Sequence, residues 1–152
     1  MKKFRFRYDS ILKMREEAEE RIKNDLARLL AKKHALVEKQ AQLITQETTY
    51  GDYIEKTLAK GGSDLPLKSF ESGKQYYREK KMHLNHLISQ ADREIERTQQ
   101  KLAEAMQARK IMEKLKEKAF RQYVDAYNKA DIKLIEEIIN YSGNHMNGDQ
   151  DG

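Results

Sequence analysis

The 152-residue chain has no cysteine and no tryptophan. Without cysteine there is no disulfide framework, no thiolate metal site and no thiol nucleophile, and a reducing compartment is compatible. One proline and seven glycines leave few places where a helix must stop. β-Branched residues are sparse, and clean alternation of apolar and polar residues is confined to Phe4, Phe6 and Tyr8, so strands have little to build on. The longest apolar runs reach two to three residues, far below the ~20 needed to span a bilayer as a helix. Met1-Lys2-Lys3 resembles the start of a secretory signal, but Arg5, Arg7 and Asp9 interrupt any apolar core behind it. The expectation is a cytoplasmic protein.

What the chain does contain is charge: Asp, Glu, Lys and Arg make up 36% of it, and Ala, Leu and Gln fill much of the rest. That is the composition of long helices. So polar a sequence has too little apolar surface for a globular core, yet its apolar residues recur at helical spacing and give a narrow seam to bury. The net charge of +5 is unevenly spread. Residues 1–15 carry Lys2, Lys3, Arg5, Arg7, Lys13 and Arg15 against Asp9 alone. From 119 onward the sign reverses, with Asp125, Asp131, Glu136, Glu137, Asp149 and Asp151 against Arg121, Lys129 and Lys133. In a hairpin these two ends lie together, and their opposition favours an antiparallel register.

Helix-breaking residues concentrate in Gly61-Gly62-Ser63-Asp64-Leu65-Pro66. The chain therefore reads as one domain of all-α class, an elongated two-helix antiparallel coiled-coil hairpin of left-handed twist with unequal arms. Helix 1 is expected over about 10–58 with Asp9 or Ser10 as cap, the hinge over about 59–65, helix 2 over about 66–141, and a disordered tail over 142–152. Thr48, Thr49 and Gly51 weaken the end of helix 1.

In helix 1 a seven-residue repeat runs through Ile22, Leu29, Leu36, Leu43 and Tyr50, flanked by Leu30, Val37 and Ile44 in one apolar stripe. Helix 2 carries Leu84, Ile88, Ala91, Ile95, Thr98, Leu102, Ala105, Arg109 and Met112 at alternating three-and-four spacing, a coiled-coil seam interrupted once. Folding about the hinge sets Leu43 level with Leu84, Leu36 with Ala91, Leu29 with Thr98 and Ile22 with Ala105, so large side chains repeatedly meet small ones. Helix 2 outruns helix 1 in this register. Beyond Ala119 only the Phe4 to Tyr8 segment is left to cover Phe120, Tyr123, Val124, Tyr127, Ile132, Leu134, Ile135, Ile138, Ile139 and Tyr141. A helix that apolar is expected to dock against a partner.

Catalytic and cofactor chemistry finds little support. His83 and His86 stand three apart, but Lys80, Lys81 and Asn85 make their surroundings cationic and unfavourable for a metal ion. Gly61-Gly62-Ser63 lacks the strand and the Lys-Ser or Lys-Thr of a phosphate loop. Carboxylates alternate with lysines, as in Glu113-Lys114 and Glu117-Lys118, in the manner of solvated helix faces. No catalytic residue, cofactor or metal is expected. The basic stretch Arg109, Lys110, Lys114, Lys116 and Lys118 is diluted by glutamates and belongs to no nucleic-acid module, so no nucleic-acid partner is expected either. Tyr76 and Tyr77 are adjacent and point apart on a helix. One joins the seam, and the other, with Phe70, offers an exposed aromatic contact near the turn.

Several segments resemble one family. Phe4-Arg5-Phe6-Arg7-Tyr8 followed by Ile11-Leu12-Lys13-Met14-Arg15-Glu16-Glu17 is similar to the opening of the flagellar export protein FliJ family. So are the restart Gly73-Lys74-Gln75-Tyr76-Tyr77, the stretch from Met112 to Phe120 and Lys133-Leu134-Ile135-Glu136-Glu137-Ile138, where the family usually has Asp-Glu in place of Glu136-Glu137. The likeness covers residues 4 to about 141.

The resemblance implies a non-enzymatic component of the bacterial flagellar type III export apparatus, shaped like the central shaft of rotary ATPases. Its implied partners are the export ATPase hexamer, the cytoplasmic domain of the export gate and the export chaperones. The protein would be a monomer when free, held at the cytoplasmic face of the inner membrane at the flagellar base only through those partners. The implied ATPase-ring contacts are Phe4, Phe6, Tyr8, Arg15, Phe120, Tyr123, Tyr127, Ile135 and Ile138, and the implied gate contacts are Phe70, Tyr76 and Tyr77. The alternative is a generic coiled-coil scaffold that self-associates or binds anionic polymer through its basic ends.

Overall fold

The computed structural model describes the backbone of residues 2–61 and 67–150 and the side chains of 2–61 and 69–144. It is a two-helix, all-α coiled-coil hairpin: α1 spans Asp9–Ala59 and α2 spans Leu67–Gln150. No strand occurs among the described residues. The expected hinge lies largely outside them, since 62–66 are not described. At its edge α1 closes with Gly61 at φ 74°, its N–H donating to the Leu58 carbonyl (3.1 Å), while Lys60 N–H donates to the Lys56 carbonyl (3.2 Å). A left-handed residue just past the last turn is the ordinary glycine stop of a helix. The far end differs from expectation. Ser142, Gly143 and Asn144 predicted a break, but α2 continues through them to Gln150.

The chain divides into two compact units, residues 20–104 and residues 1–19 with 105–152. The first contains the end of α1, the turn region and the start of α2. Its α1 residues turn inward at alternating steps of four and three: Ile22, Leu26, Leu29, Lys33, Leu36, Gln40, Leu43, Glu47, Tyr50 and Ile54. This is a heptad seam, and on α2 it meets Leu84, Ile88, Ala91, Ile95 and Thr98. Ala91 is 2% exposed, the most enclosed of the core residues. A small side chain there lets the leucine layers of α1 approach, as the large-against-small pattern predicts.

One part of the predicted stripe is corrected. Leu30, Val37 and Ile44 are exposed, and the second seam position belongs instead to Lys33, Gln40 and Glu47. Each of these reaches across the helix pair. Lys33 binds Asp92 (2.6 Å), the Gln40 amide donates to Asn85 (2.6 Å), and Glu47 pairs with Lys81. A two-stranded seam is only two positions wide, so residues one further step around the helix fall outside it. The three cross-links run antiparallel and lie within about two residues of the register that places Leu36 level with Ala91.

In the other unit the start of α1 packs on the second half of α2. Leu12 and Met112 are its buried apolar residues. Beside them the seam is polar: Glu19 is only 4% exposed and pairs with Arg109, which also donates to Glu113 (2.7 Å). Arg15 donates to the Ala108 carbonyl (2.7 Å), and Lys116 reaches Asp9 (3.5 Å). The Arg109 pKa is pushed further up by its hydrogen bonds to Glu19 first and Glu113 second, which favours the guanidinium form. Asp9 or Ser10 was expected as the helix cap. The Asp9 carboxylate is used on Lys13 (3.5 Å) and Lys116, and the first helical bond runs from Leu12 N–H to the Tyr8 carbonyl (3.0 Å).

Candidate functional site

Two surfaces carry the residues singled out by sequence. In the unit formed by residues 1–19 and 105–152, the extended opening segment lies along α2. The Tyr123 hydroxyl donates to the Lys2 carbonyl (2.7 Å) and pins it there. Phe4 sits edge-on to Phe120 (5.2 Å) and tilts toward Tyr123 (5.5 Å), Phe120 stacks on Tyr123 (6.4 Å), and Tyr123 meets Tyr127 (6.5 Å). Phe6 packs edge-on to Tyr8 (5.8 Å). Four of the predicted ring-contact residues, Phe4, Phe120, Tyr123 and Tyr127, thus form one aromatic cluster. Such contacts add ~0.5–1.5 kcal/mol each beyond the area they bury.

Past that cluster α2 is open to solvent over its described residues. Every described residue from 125 to 144 is exposed, including Ile132, Leu134, Ile135, Ile138 and Ile139, with Ile138 57% open to solvent. Ile135 and Ile138 are therefore free of the aromatic cluster. They lie on a bare face of the helix. Arg15 is placed differently from the rest, half-buried and turned into the seam by its bond to Ala108.

The second surface is in residues 20–104, beside the turn. Tyr77 joins the seam and meets Tyr50 (5.5 Å), while Tyr76 is exposed, edge-on to Tyr77 (5.3 Å) and beneath Lys80 (5.7 Å). Phe70 does not accompany Tyr76 outside. It is half-buried under Lys74 (4.5 Å) and lines, with Tyr50, Ile54 and Tyr77, an open cleft of about 390 Å³. Tyr50 also passes close over Gly73, where any Cβ would overlap its hydroxyl, itself donating to the Ser69 carbonyl (3.3 Å). Sequence showed the tyrosines but not this close approach.

Two further features escaped sequence reasoning. Arg109 was visible as an interruption of the α2 seam, but its partner Glu19 was not, although it stands seven residues from both Leu12 and Leu26 and so on their face. Lys33, Gln40 and Glu47 repeat at the same interval and carried the same signal. Among the described residues no three His, Asp or Glu side chains gather to hold a metal ion, and no helix is long and apolar enough to cross a membrane.

These features define a class: an all-α coiled-coil hairpin with an uncovered apolar stretch on its second helix and aromatic contact surfaces. A family model described as the flagellar FliJ protein matches residues 4–147, and the chain belongs to that family. Membership makes it a component of the flagellar export apparatus. No curated relative and no solved structure matches the chain.

Proposed function

We propose that the protein is the stalk of the flagellar export machinery, which binds the export ATPase ring through the aromatic cluster and the bare stretch of α2, promotes the ring's assembly and activity, and acts without catalysis of its own. The observation that carries this reading is the exposure of Ile132, Leu134, Ile135, Ile138 and Ile139 on one continuous helix. Apolar side chains arranged in this way are the anchors by which a helix seats in a partner's groove. A ring's inner sleeve supplies that groove. In the same reading Tyr76, Tyr77 and Phe70 meet the cytoplasmic domain of the export gate, and export chaperones are escorted on the hairpin. Attachment to the inner membrane is through these partners. The test is a comparison of the full chain with a form ending at Ala119 in recovering the purified export ATPase and stimulating its ATP hydrolysis. Recovery and stimulation with the full chain alone support the stalk reading, and equal stimulation by the shortened form refutes it.

A further inference from the structure

The opening segment and α2 enclose an open cleft of about 820 Å³ whose lining contains no carboxylate. Its floor is apolar and aromatic, built from Phe4, Leu115, Ala119 and Tyr123. Around the floor stand five cations, Lys2, Lys3, Arg5, Arg7 and Lys118, all exposed. Among the described residues none of the five has a carboxylate partner; Arg7 lies over the Tyr8 ring (5.5 Å). Acidic neighbours in sequence are already engaged, Asp9 by Lys13 and Lys116 and Glu117 by Arg121. What sets these five cations apart is their convergence on one apolar floor with no acidic group in its lining, an arrangement of one sign around an apolar centre.

We infer that this cleft binds an acidic amphipathic segment of a partner protein, with carboxylates meeting Lys2, Lys3, Arg5, Arg7 and Lys118 while an aliphatic or aromatic side chain rests on Phe4, Leu115 and Tyr123. The ligand must carry both characters. Cations alone would suit the phosphate backbone of a duplex, which has no apolar body for the floor, and the Phe4, Phe120 and Tyr123 rings on which an unpaired base would stack are engaged with one another. An anionic bilayer would match the charge, but membrane-surface segments insert their aromatic residues, and here Phe4 and Phe6 are half-buried in contacts of the chain with itself. A protein segment with glutamates beside leucines satisfies both halves of the cleft, and steering by opposite charge speeds its encounter. The inference rests on the stalk reading for the role of this surface and adds the chemistry of what it receives.

The experiment uses the full chain and a short fluorescein-labelled helical peptide of Leu and Glu at three-and-four spacing, followed by fluorescence anisotropy. Binding is expected, lost in high salt, and weakened at least about tenfold by the double substitution Arg5→Glu and Lys118→Glu. The milder pair Arg5→Gln and Lys118→Gln is expected to weaken it less, with far-UV circular dichroism unchanged in both. Equal binding by either double variant overturns the inference. So does equal binding of the peptide with Lys in place of Glu. Tighter binding to phosphatidylserine vesicles or duplex DNA, with the peptide unable to compete, assigns the cleft to another ligand and also overturns it. ATPase stimulation is read in parallel: a protein that stimulates the ATPase but ignores the peptide refutes only the acidic-segment inference, and one that binds the peptide without stimulating refutes only the stalk.

Discussion

Residues 20–104 and the second half of α2 use the same kinds of residue to opposite ends. In the first, isoleucines and leucines face alanines and threonines across a heptad seam, and the polar seam positions Lys33, Gln40 and Glu47 find partners on α2. From residue 125 onward, isoleucines are as frequent, yet all are exposed. The difference lies in what stands opposite. Where α1 lies alongside, apolar side chains contribute to folding, and where no helix lies alongside they remain available for a partner. Burial on folding and burial on binding draw on the same apolar area, at ~25 cal/mol per Å².

The sharpest way to break the comparison is to make the bare stretch polar. Ile132→Ser, Ile135→Ser, Ile138→Ser and Ile139→Ser together are expected to weaken binding to the export ATPase more than about a hundredfold, since each anchor is worth ~1–2 kcal/mol or more. Thermal unfolding of the free protein should shift little, because these side chains are exposed. A large fall in Tm with unchanged affinity would reverse the two roles. The complementary change is Leu36→Ala in the seam, expected to cost ~2–4 kcal/mol in denaturant unfolding while leaving ATPase affinity intact.

Next in size is the polar layer of the unit made by residues 1–19 and 105–152. Arg109→Leu leaves the buried Glu19 carboxylate without its guanidinium and should lower Tm clearly, whereas Arg109→Leu with Glu19→Leu should recover most of the loss. Additive losses in such a double-mutant cycle would mean that the pair does not act as a unit. The smallest effects separate two glycines of the turn-bearing unit. Gly73→Ala drives a Cβ into the Tyr50 hydroxyl and should destabilise by ~1–3 kcal/mol, with a changed tyrosine fluorescence. Gly51→Ala meets open space inside α1, about two turns before its end, and should stabilise by ~0.5–1 kcal/mol.

Most of the fold was legible because heptad spacing is a property of sequence alone. The seam residues Leu36, Leu43, Ala91 and Ile95 and the antiparallel register followed from spacing and from the glycines near the turn. The misread seam positions share one cause. Apolarity was used to choose the second seam position, which selected Leu30, Val37 and Ile44, when the seven-residue interval from Leu12 through Glu19 and Leu26 to Lys33 would have selected the true face. Polar residues in a narrow seam cost little when each meets a partner, so hydrophobicity is a weaker guide there than period. The bare stretch of α2 was readable from the unequal lengths of the helices. The packing of Phe70 away from Tyr76, and the turning of Arg15 into the seam, depended on contacts between distant segments that no local pattern records.

In the stalk reading, residues 125–141 are exposed in the free protein so that a partner can cover them. Amide hydrogen exchange of the full chain, alone and with the purified export ATPase, measures this directly. The predicted result is strong new protection confined to the stretch from about Phe120 to Tyr141 and to the Phe4–Tyr8 segment, with residues 20–104 unchanged. Protection appearing instead on Leu30, Val37 and Ile44, with the end of α2 exchanging as before, would contradict it.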